Sequence, residues 1–88
     1  MVSKIVTVKN KSGLHARPAG DLAKVCMACT SEVWINFNGK KVQPKSILNL
    51  MAACIKCGAE IEVVCDGANE VSDLKKIVDL IESGFGEE

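Results

Sequence analysis

The sequence has no tyrosine, two phenylalanines and one tryptophan, so Trp34, Phe37 and Phe85 are its whole aromatic complement. Any core must therefore be aliphatic. Histidine occurs once, at position 15, which excludes chemistry that needs two imidazoles from one chain. Charge of either sign is not in excess: 11 basic and 11 acidic residues cancel to a formal charge of +0. No broad basic field exists to hold nucleic acid or an anionic membrane. No apolar run is long enough to span a membrane. The first residues, MVSKIVTVKNKSG, alternate and carry lysines where a secretory segment would be continuously apolar. A cytoplasmic protein without membrane insertion is expected. At 88 residues, with 48% hydrophobic and 25% charged residues, the composition is that of one globular domain, residues 1–88. Repeats, linkers and low-complexity segments are absent.

Cysteine is the one residue in surplus, with five. Four of them form two CxxC pairs, Cys26/Cys29 and Cys54/Cys57. Two such pairs can build a tetrahedral zinc site or a redox centre. Yet 24 residues separate the pairs, more than compact zinc ribbons use. Each pair also falls in a helical pattern, where small thiols at i and i+3 pack as core residues. Both readings are compatible with the residues. Cys65 lies in an alternating segment and is expected in the core.

Hydrophobic periodicity orders the chain. Residues 2–8 are rich in β-branched side chains and read as a strand. Residues 16–29 place Ala19, Leu22, Ala23, Cys26 and Cys29 at helical spacing, with Pro18 in the first turn where its missing N–H is harmless. Residues 32–37 alternate, Asn38-Gly39 is a hairpin turn, and 40–43 return as a short strand. Ser46 to Cys57 reads as a second helix stopped by Gly58. Residues 60–66 alternate again. Asn69 is the expected N-cap of a last helix carrying Leu74, Ile77, Val78 and Ile81, with the tail GFGEE frayed. The order βαββαβα predicts an α+β open-faced β-sandwich: a four-stranded antiparallel sheet covered on one face by three helices. Trp34 is expected on the open face, and Lys9, Lys11, Lys40 and Lys41 as solvated charges.

The stretch Gly13-Leu14-His15-Ala16-Arg17-Pro18-Ala19-Gly20 carries the chemistry. His15 directly precedes a helical turn, beside the backbone N–H groups of Ala16 and Arg17 and the positive end of the helix dipole. An anion held against the ring would meet those donors. Arg17 adds a guanidinium able to hydrogen-bond a phosphoryl group. No nucleotide-binding loop and no acidic pair for magnesium accompany it, so phosphoryl donor and acceptor must be other proteins. The plainer alternative is a surface histidine near a cap with a solvated arginine.

The chain resembles HPr, the histidine-containing phosphocarrier family of the bacterial phosphoenolpyruvate:sugar phosphotransferase system. The resemblance is carried by GLHARPA, the NGK turn at Asn38-Gly39-Lys40, the segment KSIL-LM from Lys45, and GAEI at Gly58–Ile61. It implies that His15 is phosphorylated on Nδ1 by enzyme I and that the group passes to IIA domains of sugar permeases. Such a protein is a carrier through phosphohistidine and not an independent catalyst. Arg17 would steady the phosphoryl group, Ala16 and Pro18 would shape the helix start, and Ser12 would add a hydrogen bond. Ser46 reads on its own as an N-cap; the resemblance adds regulatory phosphorylation by an HPr kinase/phosphorylase and recognition by a catabolite-control repressor. Ile47, Leu48 and Met51 would form an apolar docking patch rimmed by Gly20, Asp21 and Lys24. Asn49 and Cys54 stand where many relatives have glycine, which favours a better-formed helix. No cofactor and no metal are implied, a monomer is expected, and the thiol pairs revert to core packing. A mainly regulatory HPr-like role is the alternative, although such paralogues lose the histidine kept here.

Overall fold

The computed structural model describes residues 1–86. In chain order they form β1 (Val2–Thr7), α1 (Ala16–Ala28), β2 (Glu32–Phe37), β3 (Lys40–Val42), α2 (Ile47–Ala52), β4 (Glu60–Asp66) and α3 (Glu70–Glu82), then a 3-10 turn, Gly84–Gly86. The four strands make one antiparallel sheet of order β1-β4-β2-β3, so the last strand inserts between the first two. This is the expected open-faced sandwich with three helices.

Alternation decides which face is covered. Val6 pairs with Ile61, Ile35 with Val63 and Val33 with Cys65, and all six side chains are buried beneath the helices. The helices bring Leu22, Ala23, Cys26, Leu50, Ile77 and Ile81 to the same core. On the open face, Asn36 donates to Glu62 at 2.9 Å. Trp34 stands there as expected, half-buried opposite Val64. Lys41 is more than a solvated charge: its ammonium lies 4.5 Å from the Trp34 ring centre, a cation–π contact.

The second helix is shorter than its sequence pattern. It ends at Ala52, where the Ala53 N–H bonds the Asn49 carbonyl and the Cys54 N–H bonds that of Met51. Cys54 then takes a left-handed conformation, φ 55°. The reason is tertiary. Leu50 and Ile55 are both buried, and on a continuous helix five positions would set them about 140° apart. The left-handed residue turns Ile55 back into the core. Gly58 is therefore not the helix stop, the pair Cys54/Cys57 is not helical, and Cys54 in place of glycine strains the turn instead of improving a helix.

Two further expectations change. The start of the tail is not frayed: Phe85 is 4% exposed and packs into the core, while residues 87–88 of GFGEE lie outside the described residues. Asn69 precedes α3 but its side chain does not cap it; its amide donates to Thr30 Oγ1 at 3.1 Å. The Glu70 side chain accepts the Gly67 N–H at 3.2 Å, which fastens the turn before α3 and does not cap the helix.

Candidate phosphoryl-acceptor site

His15 is the N-cap of α1, in extended backbone (φ −80°, ψ −171°), and its side chain makes no capping bond. Its carbonyl accepts the Ala19 N–H at 2.8 Å, which starts the helical ladder. Pro18 has no N–H to offer. The donors left over in the first turn are those of Ala16 and Arg17, which have no carbonyl one turn earlier in the helix. Both residues are exposed, as is His15, while Pro18 is buried against the core. The ring, two backbone donors and a guanidinium thus share one exposed helix start.

The loop before His15 is held from two sides. Asn10, 2% exposed, donates its amide to the Gly13 carbonyl at 2.7 Å and to Ser12 Oγ at 3.3 Å. Gly13 has φ +65°, and a Cβ there would lie 2.6 Å from the Ile55 carbonyl oxygen and 2.8 Å from Lys56 Cα. Only glycine permits that approach. Leu14 donates its N–H to the Ile55 carbonyl at 2.9 Å. The residues after α2 are thereby the floor on which the histidine loop rests. Sequence reading missed Asn10 and Ile55 in this role. A polar residue in the turn KNKSG was the only local signal for the first; the second depends on a contact between distant segments.

An open cleft of about 290 Å³ adjoins His15, lined also by Ser12 and Leu14 and, across from them, by Met51, Cys54 and Lys56. Ser12 and His15 line this cleft together. Arg17, Gly20 and Lys24 follow one another at i, i+3 and i+7 along α1 and share a face; Gly20 is half-buried with open space above it, and Lys24 is exposed. α1 as a whole packs on both α2 and α3.

Ser46 is the N-cap of α2, its Oγ accepting the Asn49 N–H at 3.2 Å. Ile47, Leu48 and Met51 are 45%, 77% and 39% exposed, whereas Leu50 is fully buried, so within one short helix an exposed apolar edge lies beside a core residue. Ala53 is half-buried, but Cys54 faces solvent rather than the sheet.

The cysteines divide. Cys26, Cys29 and Cys65 are buried, with Cys29 donating to the Val25 carbonyl at 3.3 Å; Cys54 and Cys57 are exposed, which corrects their assignment to the core. Among the described residues no group of three or more His, Cys, Asp or Glu side chains is arranged to hold a metal ion. No helix is long and apolar enough to cross a membrane among them.

A family model described as the PTS HPr component phosphorylation site matches residues 2–83. The chain belongs to the HPr family. It is similar to the phosphocarrier protein HPr of Treponema pallidum, 38% identical over 88 residues and covering 100% of both chains. The HPr-like protein Crh of Halalkalibacterium halodurans is 40% identical over 82 residues, 93% of this chain and 98% of that one. The crystal structure of HPr-C-His from Thermoanaerobacter tengcongensis superposes with a TM-score of 0.96 at 39% identity, covering 100% of this chain and 99% of the other. Proteins of the HPr family are phosphocarriers of the phosphotransferase system and not independent catalysts.

Proposed function

We propose that His15 accepts a phosphoryl group from phosphorylated enzyme I and passes it to IIA domains of sugar permeases. The observation that supports this most directly is the exposed ring at the N-cap of α1, beside the unclaimed N–H groups of Ala16 and Arg17. On uptake the Nδ1 lone pair of His15 forms a bond to phosphorus as the bond between phosphorus and the donor breaks; in onward transfer the acceptor attacks phosphorus and the Nδ1–P bond breaks. The three phosphoryl oxygens need donors throughout, and the backbone pair and the Arg17 guanidinium supply them. Pro18 keeps the helix start in place without competing for an acceptor. Ser12 is the supporting hydroxyl of the loop. Partners dock on Gly20 and Lys24 of α1 and on Ile47, Leu48 and Met51 of α2, where an adaptable methionine suits several of them. The chain, residues 1–88, works as one cytoplasmic domain and as a monomer.

Ser46 is the regulatory position in this reading. Phosphorylation by an HPr kinase/phosphorylase would add about −1.5 to −2 charges directly beside Ile47 and Leu48. That charge would oppose a partner carrying its own phosphoryl group and would mark the surface for a catabolite-control repressor. The similarity to Crh favours a second reading, in which regulation through Ser46 is the main task.

Incubation with phosphoenolpyruvate and enzyme I tests the first reading. It should give one acid-labile, alkali-stable phosphate; persistence of that phosphate in His15→Ala would refute the site. Incubation with ATP and HPr kinase tests the second, through an acid-stable phosphate that disappears in Ser46→Ala.

A further inference from the structure

Of the five cysteines, Cys54 and Cys57 alone are exposed. The others are poor nucleophiles: burial pushes the Cys26 thiol up to about 12 and the Cys65 thiol up to about 11, and burial also raises that of Cys29. The exposed pair brackets the segment that supports the histidine loop. Between the two cysteines lie Ile55, whose carbonyl holds the Leu14 N–H, and Lys56, whose Cα is in close approach to Gly13. Cys54 opens onto the cleft beside His15, with the Lys56 side chain lining the same space. Cys57 faces elsewhere, its thiol 3.6 Å from the Lys9 carbonyl.

We propose that Cys54 and Cys57 are a reversible dithiol–disulfide site for small-molecule disulfides, and that closing the bridge withdraws the support beneath His15. The consequence for transfer rests on His15 being the phosphoryl acceptor. The cleft of about 290 Å³ admits a small disulfide to Cys54, with Lys56 lining the same space. The Cys54 thiolate attacks one sulfur of the compound, forming a mixed disulfide and expelling one thiolate. Cys57 then attacks the Cys54 sulfur and expels the second. Two protein thiols are oxidised, one small disulfide is reduced, and the two thiol protons leave on the two released thiols. A disulfide needs its Cα atoms within about 4.4–6.8 Å and its Cβ vectors converging. Because Cys57 starts turned toward Lys9, the bridge requires residues 54–57 to tighten, and the left-handed strain at Cys54 (φ 55°) gives that segment a reason to rearrange. Tightening moves the Ile55 carbonyl away from Leu14 and the Lys56 backbone away from Gly13, and the His15 loop loses its floor. In a compartment where thiols stay reduced, such a bridge is transient and regulatory.

The test oxidises the purified full chain alone with oxidised glutathione and removes the reagent before enzyme I and phosphoenolpyruvate are added. The bridged protein should be lighter by about 2 Da, take up phosphate at least roughly tenfold more slowly, and recover with dithiothreitol. Cys57→Ser should stop at the glutathione adduct on Cys54, and when reduced should take up phosphate like the reduced parent. Two results would each overturn the proposal: a parent protein that stays fully reduced or stops at the adduct, or a bridged protein that is phosphorylated at the reduced rate. If instead the reduced parent takes up no phosphate, the function assigned to His15 fails while the mass change still reports on the bridge.

Discussion

The carboxylate of Asp73 accepts two hydrogen bonds from Ser31, one from its hydroxyl at 2.6 Å and one from its backbone N–H at 3.1 Å. Both residues are buried, Asp73 at 4% exposure and Ser31 at 1%. The pair ties the first turn of α3 to the connection between α1 and β2, two segments 42 positions apart. The Lys45 ammonium lies 3.5 Å from the Ser31 carbonyl, joining the approach to α2 to the same point.

Asp73→Ala should therefore destabilise the fold by about 2 kcal/mol, since it leaves a buried N–H and hydroxyl without their acceptor. Acid should act through the same group. Hydrogen bonds from Ser31, above all from its hydroxyl, hold the Asp73 carboxyl below the usual aspartate range and outweigh the opposing effect of burial. Above that usual range the carboxylate is ionised in both folded and unfolded chains, and its stabilisation is complete. As pH falls through the unfolded value, near about 3.9, the unfolded chain takes up the proton first and the stabilisation drains away until the folded value is passed. Denaturant melts between about pH 5 and pH 2 should show a smaller loss in Asp73→Ala than in the parent.

Arg17→Ala should leave the fold untouched, because the side chain is exposed on the first turn of α1. Charge-assisted hydrogen bonds are worth about 1.5–3 kcal/mol, so losing one in the transfer step should slow phosphoryl uptake roughly 10- to 100-fold. Rapid-quench measurement beside a thermal melt checks both halves; an unchanged rate removes Arg17 from the mechanism.

Cys54→Gly should stabilise the protein by about 1 kcal/mol. The left-handed backbone at this position strains any residue with a Cβ, and the thiol is exposed and contributes little to packing. The greater freedom of glycine in the unfolded chain offsets part of that relief. Chemical denaturation under reducing conditions reads the sign, and a destabilised variant would mean that the Cys54 side chain packs more than its exposure suggests.

Phe85→Ala should cost about 3 kcal/mol, the penalty of emptying a buried aromatic site. A frayed tail would show no change in melting temperature, so a single thermal melt separates the two descriptions.

The strand alternation, the Asn38-Gly39 turn and the Ser46 cap could all be read from residues close in sequence, because each depends on a local period or a local hydrogen bond. Three of the misread elements share one cause. α2 stops early because Ile55 must reach the core, Phe85 is ordered because the core extends to it, and Asn69 gives its side chain to Thr30. In each case a partner far along the chain overrides the local pattern. Asp73 was equally hidden, since one aspartate in an amphipathic helix looks like any solvated charge until Ser31 is placed against it.

Sequence alone therefore determined the element order, the sheet and helix faces, and the histidine set at a helix start, since all of these follow from spacing along one segment. What surrounds that histidine was decided only by the tertiary structure. The Gly13 approach to Ile55 and Lys56, the cleft shared with Cys54, and the exposure of one thiol pair with burial of the other arise where segments some 40 residues apart meet. Periodicity describes which way a side chain points from its own helix or strand; it carries no information about what stands opposite.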